Sequence, residues 1–133
     1  MARGIFNSQK NYFNTGDPYS EWCRTNNVYQ IDVDVCGICE FCKVPLYLAE
    51  TCFDKGQKWK ATTSTEALAK LSGLPSFLVF YKVDANRDVE SFRIKQLTPQ
   101  PGKETYLLPE SWSQVLELIQ DQHNQTCTKK KQT

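Results

Sequence analysis

Three cysteines at intervals of three, Cys36, Cys39 and Cys42 in "VDVCGICEFCKVP", constrain this chain more than any other feature. Thiols so closely spaced can form a redox centre, a metal clamp, or a set of small residues buried in a core. The chain carries six cysteines. The N-terminal "MARGIFNSQK" has no apolar core of signal-peptide length, and no run approaches the roughly 20 apolar residues of a membrane span. The expectation is therefore a soluble, cytoplasmic protein, in which clustered cysteines are better read as ligands or redox groups than as structural disulfides. Cys23 and Cys127 stand apart and read as free thiols.

The bulk composition adds limits. With 133 residues, 40% of them apolar and 12% aromatic, one domain can bury a core without covalent staples. A net charge of +1 argues against general attraction to nucleic acid or membrane. The basic run Lys129-Lys130-Lys131 reads as part of a solvated tail.

Along the chain, residues 1–27 are rich in Asn, Ser, Gly and Pro, with "NTGDP" as a turn, and read as an irregular N-terminal wrap. An α/β core is expected over 28–122 and a flexible basic tail over 123–133. "VYQIDVDV" (28–35) alternates apolar and polar residues as a strand does. "PLYLAETCF" (45–53) is a short apolar run that fits a strand or the first turns of a helix. "TTSTEALAKLSG" (62–73) reads as a helix, with Thr63 and Glu66 as a capping box and Gly73 as the C-cap. "SFLVFYKV" (76–83) reads as a buried central strand and "VESFRIKQLT" (89–98) as a more exposed one. "LPESWSQVLELIQDQ" (108–122) reads as a helix with Pro109 in its first turn. Its stripe of Trp112, Val115, Leu116 and Ile119 reads as ordinary core. Strands alternating with helices imply one mixed sheet flanked by helices, an α/β domain.

The cysteine cluster fits two chemistries besides inert burial. Cys36-Gly37-Ile38-Cys39 after a strand resembles the dithiol of thioredoxin-like proteins, where a helix N-terminus lowers the thiol pKa. "SGLPSFLVFYK" resembles that family's cis-proline segment, with Pro75 as the proline. Val35 replaces the Trp that the family has before its dithiol, and the loop between strand and dithiol is missing. Alternatively, Cys39 and Cys42 on a hairpin tip would grip one side of a tetrahedral zinc. Cys36 is then the nearest third ligand, with Cys23, Cys52 or His123 available only through folding.

An acidic constellation lies beside it. If 28–36 and 46–53 pair as antiparallel strands around a tip at 37–45, a register of Asp34 against Glu50 sets Asp32 against Cys52. Asp32, Asp34 and Glu50 then share one face. Clustered carboxylates repel unless a cation lies between them, so Mg²⁺ or Mn²⁺ is expected there. The plainer alternative is a solvated strand face.

"DVD" on one strand, a hairpin, and "PLYLAE" on the next resemble the core of the PD-(D/E)XK nuclease superfamily. "DKGQKWKATTSTEALAKLSGLPSFLVFYKV" resembles the helix and strand that follow in that core. Residues 31–83 and "LLPESWSQVL" are similar to a group of uncharacterised bacteriophage proteins, some with CxxC at the hairpin tip. The resemblance implies a restriction-endonuclease-like core, a divalent-metal-dependent nuclease activity on DNA or RNA, and a zinc-binding hairpin. It maps Asp34 and Glu50 onto the metal-binding carboxylates, with Asp32 as a helper. The superfamily's Lys, two residues after that Glu, is here Cys52. Lys60 is the preferred substitute, reaching back from just before the helix, whereas Lys58 reads as a surface residue. The resemblance thus implies a phage-type, nuclease-like domain in the host cytoplasm, with Mg²⁺ or Mn²⁺ at Asp34, Glu50 and Asp32, and the cysteine spacing adds the expectation of structural Zn²⁺ at Cys36, Cys39 and Cys42. Two alternatives stand beside it: a dithiol oxidoreductase using Cys36, Cys39 and Pro75, and a non-catalytic module that blocks a host protein.

Overall fold

The computed structural model describes residues 17–30 and 33–129. The chain divides into two compact units, 1–32 and 33–133. In the first, helix α1 runs over Pro18–Thr25, where an irregular segment was expected. The Asp-Pro pair starts this helix. Asp17 is the N-cap and accepts from the Tyr19 amide at 3.1 Å, while Pro18, which has no amide hydrogen to satisfy, takes the first helical position. Cys23 is buried on α1.

The second unit carries five strands in the order of the chain: β1 (Val35–Ile38), β2 (Pro45–Phe53), β3 (Ser76–Val83), β4 (Val89–Thr98) and β5 (Thr105–Leu107). Helix α2 (Thr63–Ser72) links β2 to β3, and α3 (Pro109–Asn124) follows β5. The β2–β3 pair is parallel and the other neighbours are antiparallel, so this is a single mixed sheet in an α/β domain. A parallel pair cannot be closed by a tight turn, and α2 supplies the crossover. Three helices are present among the described residues, none long and apolar enough to cross a membrane.

Side-chain alternation assigns the two faces of the sheet. Ala49, Phe77, Val79 and Ile94 point one way and pack with Trp112 of α3. Phe77 meets Trp112 edge-on at 5.1 Å between ring centroids. Val115, Leu116 and Ile119 extend this contact along the stripe legible in the sequence. Leu78, Phe80 and Leu97 point the other way, with Cys52 against them. Glu50 lies on that second face, where Thr65 of α2 reaches it. Gly73 ends α2 in the left-handed region at φ 72°, a conformation that glycine adopts at least cost.

Two boundaries differ from the sequence reading. The N-cap of α2 is Thr62 rather than Thr63, and its hydroxyl donates to the Glu66 carboxylate at 2.6 Å instead of closing a capping box. Of the strand expected over 28–35, residues 31–32 lie outside the described residues, and among the described ones the strand runs over Val35–Ile38, leaving a shorter tip at 39–44. Side chains cause the shift. Asp34 Oδ2 accepts from the Thr51 amide at 2.9 Å, and the Asp34 amide donates to Glu50 Oε2 at 3.2 Å. Carboxylates thus take the place of ladder carbonyls, and regular pairing starts one residue later. The register itself is as expected. Val35 faces Ala49, Cys36 faces Leu48 and Gly37 faces Tyr47, so one step back sets Asp34 against Glu50. The Tyr47 ring lies over Gly37, where an added Cβ would sit 1.9 Å from it.

Candidate functional site

The β1–β2 hairpin carries a different group of polar side chains at each end. At its tip, the Cys39 amide donates to Val44 O at 2.9 Å, and the Lys43 amide, in a left-handed residue at φ 67°, donates to Cys39 O at 3.0 Å. This tight knuckle turns Cys39 and Cys42 to one side. The last turn of α3 and the turn after it bring His123 and Cys127 to meet them. Cys39 Sγ lies 3.8 Å from Cys127 Sγ, and Cys42 Sγ lies 3.2 Å from His123 Nε2. The four ligand atoms all lie within 4.8 Å of one another and could hold a metal ion.

The surroundings suit an anionic sulfur. Cys39 and Cys127 are buried. Cys39 Sγ accepts from the Phe41 amide at 3.3 Å and from Gln120 Nε2 at 3.2 Å. Burial alone would raise the Cys39 pKa, but hydrogen bonds from the Cys42 and Phe41 amides and from Gln120 bring it down to about 6. Burial pushes the Cys127 thiol up, as do its neighbours Cys42 and Cys39, against a hydrogen bond from the Lys129 backbone.

This cluster corrects the sequence reading in two places. Cys36 is not part of it: the residue sits exposed on β1, where alternation turns it away from the tip. Cys127, set aside as a free thiol in a flexible tail, is in the cluster with His123. Its signal was present as His123-x-x-x-Cys127 at a helix end, a spacing of the kind that completes a CxxC half-site. Cys52 faces Leu78 and Phe80 on the sheet, away from the cluster. The helix that a thioredoxin-like dithiol needs is also absent, because 35–38 and 45–53 are strands. Pro75 is not the cis proline expected from that resemblance; the cis peptide bond of the described residues precedes Pro99.

At the other end of the hairpin, the structure brings Asp34, Glu50 and Lys60 together. Asp34 precedes β1, Glu50 lies in β2, and Lys60 lies between β2 and α2. Lys60 Nζ is 2.6 Å from Asp34 Oδ2, 2.8 Å from the Thr51 carbonyl oxygen and 3.5 Å from Glu50 Oε1. One ammonium therefore fills the centre of three oxygens. Glu50 is buried, and its Oε2 accepts from Thr65 Oγ1 at 2.8 Å and from the Asp34 amide. Burial works to lower the Lys60 pKa, but the hydrogen bond and charge of Asp34, with the charge of Glu50, outweigh it and raise it. Burial likewise raises the Cys52 thiol, against the pull of Lys60. Lys58 is exposed, and Asp32 lies outside the described residues.

No protein-family model matches the chain, and no curated protein or solved structure matches it at a significant level.

Proposed function

We propose that the second unit is a divalent-metal-dependent nuclease domain of the PD-(D/E)XK kind, with its hairpin stapled by structural zinc. One observation carries this reading: Asp34, Glu50 and the Thr51 carbonyl converge on a single cationic centre. A buried carboxylate, a second carboxylate and a main-chain carbonyl form the oxygen set that hard cations take. Two further features support it. An antiparallel hairpin followed by a crossover helix and a parallel strand is the arrangement the resemblance implies. Lys60 also supplies, from the next segment, the cation missing at Cys52. Mg²⁺ or Mn²⁺ held by Asp34, Glu50 and the Thr51 carbonyl would activate water and stabilise the phosphate undergoing cleavage.

The chain's own residues prepare that chemistry. Thr65 and the Asp34 amide fix the Glu50 carboxylate. Asp34 is fixed in turn by the Thr51 amide. Lys60, released from the three oxygens, can neutralise charge on the scissile group. The test is nicking of DNA and RNA with Mg²⁺ or Mn²⁺, which Glu50→Ala abolishes. Cleavage at the wild-type level in that variant contradicts the assignment.

For the tip, the donor set and its size support Zn²⁺. A tetrahedral zinc with Zn–S legs of ~2.3 Å has S···S edges of about 3.8 Å. The Cys39–Cys127 separation is 3.8 Å. Such a centre would tie the end of α3 to the hairpin.

A second reading also has an observation behind it. Lys60 already pairs with both carboxylates and offsets one of their two charges, so the oxygen site holds a cation of its own without a metal. A non-catalytic scaffold that blocks a host protein, in the host cytoplasm if the chain is of phage origin, is consistent with that. Absence of nicking under both metals, with capture of a defined host protein, is the outcome that selects it.

A further inference from the structure

The segment Asp54–Ala61, "DKGQKWKA", joins β2 to α2 and borders the Asp34–Glu50–Lys60 centre. It is pinned along its first half. Arg93, buried at 4% exposure, donates to both oxygens of Asp54, at 2.9 and 3.3 Å, and to the Gln57 carbonyl oxygen at 2.6 Å. Gln57 Oε1 accepts from the Lys55 amide at 2.7 Å, and its Nε2 donates to the Phe53 carbonyl oxygen at 2.8 Å. Asp54 Oδ1 accepts from the Gly56 amide at 2.9 Å. Beyond Gln57 the next fixed point is Lys60, held by Asp34.

Between those two anchors stands Trp59, 73% exposed, the most exposed aromatic side chain among the described residues. An indole held out in water beside a candidate site serves no packing need of this fold. Lys55 and Lys58 flank it, both exposed and without an ion pair among the described residues. The acidic residue of the segment does not cancel them, because the Asp54 charge is engaged by Arg93, which holds its carboxyl below the usual range. The segment thus shows solvent one aromatic face and two uncommitted ammonium groups. That combination fits a planar base with a phosphate on either side.

We propose that Trp59 stacks on an unpaired nucleobase while Lys55 and Lys58 hold the flanking phosphates, so the ligand is single-stranded nucleic acid. The chemistry is shared by DNA and RNA. Its consequence for cleavage rests on the nuclease reading: a strand gripped at Trp59 enters the centre one residue away, at Lys60. Binding itself does not depend on that reading.

The experiment is fluorescence anisotropy of labelled oligo-dT and oligo-U with the full chain, at low salt and without divalent ions. Wild type is expected to bind at least one of them. Trp59→Ala is expected to weaken binding about tenfold, with Trp59→Phe retaining most of it. Changing both Lys55 and Lys58 to Ala is expected to flatten the slope of log affinity against log salt by about 1.4. Tyr106→Ala removes an equally exposed ring on β5 and should change nothing. A blunt duplex should bind weakly and ignore Trp59→Ala. No binding of either strand, or equal affinities for wild type and Trp59→Ala, overturns the proposal. Trp59-dependent binding without nicking would leave this inference standing and remove the nuclease reading. Nicking abolished by Glu50→Ala, with binding unaltered by Trp59→Ala, would do the reverse.

Discussion

The two ends of the β1–β2 hairpin pose opposite electrostatic problems. At the tip, three sulfurs and an imidazole nitrogen lie within 4.8 Å of one another, an arrangement that could hold a metal ion. At the base, two carboxylates and a carbonyl lie within 3.5 Å of the Lys60 ammonium that the chain has placed among them. On the function proposed above, the tip would acquire a cation and the base would exchange one. The ligand chemistry follows the same division: soft sulfur and imidazole donors suit zinc, whereas oxygen donors suit a hard ion.

The largest effect is expected from denying the tip the zinc proposed for it. Structural zinc contributes about 10 kcal/mol or more in small finger peptides. Here only the tip and the end of α3 depend on it, so a chelator, or Cys127→Ser, is expected to lower Tm by about 10 °C. Thermal melts followed by circular dichroism measure this, and a melt that ignores both treatments would mean that the tip needs no metal.

Lys60→Met probes the base. Without the internal ammonium, Asp34 and Glu50 should bind Mn²⁺ about tenfold more tightly, and nicking should fall by about two orders of magnitude. Mn²⁺ titration followed by electron paramagnetic resonance reads the first and a plasmid assay the second. Unchanged Mn²⁺ affinity would show that ion and lysine do not compete.

The sheet face that carries Glu50 holds a second internal cation. Arg93 is buried with Asp54, with side chains 4% and 8% exposed, in a pair with no role for an outside ion. The hydrogen bond from Arg93 depresses the Asp54 pKa. The stability this brings is complete above the unfolded carboxyl value, about 3.9, and is lost as pH falls through the lower folded value. Melting curves between pH 5 and pH 2.5 should show that acid loss, diminished in Asp54→Asn. An identical acid profile in that variant would place the titrating carboxyl elsewhere.

Much of this was legible in the residues. β3 and β4 have the spans their apolar patterns predict, 45–53 is a strand where its pattern also allowed a helix, and the hairpin register is the one that sets Asp34 against Glu50. What was not legible depended on distance or on a single substituted hydrogen bond. Cys127 lies 88 residues from Cys39, and His123 lies 81 from Cys42, so only the packing of α3 on the sheet reveals the cluster. Cys36 keeps the three-residue spacing but stands on a strand, where alternation turns it away. The alternation over 28–35 promised a strand, yet the Asp34 carboxylate takes the Thr51 amide and ends the ladder there. Asp17-Pro18 reads equally as a turn or a helix start, and β5, three residues long, carries too little pattern to detect.

The most direct test of the division between tip and base is zinc per chain, by elemental mass spectrometry, in wild type, Cys36→Ser and Cys127→Ser purified without chelator or reductant. Wild type and Cys36→Ser should each carry about one zinc per chain, and Cys127→Ser none. Zinc retained in Cys127→Ser but lost in Cys36→Ser would contradict it. So would a zinc-free wild type in which two thiols stay hidden until a reductant restores them.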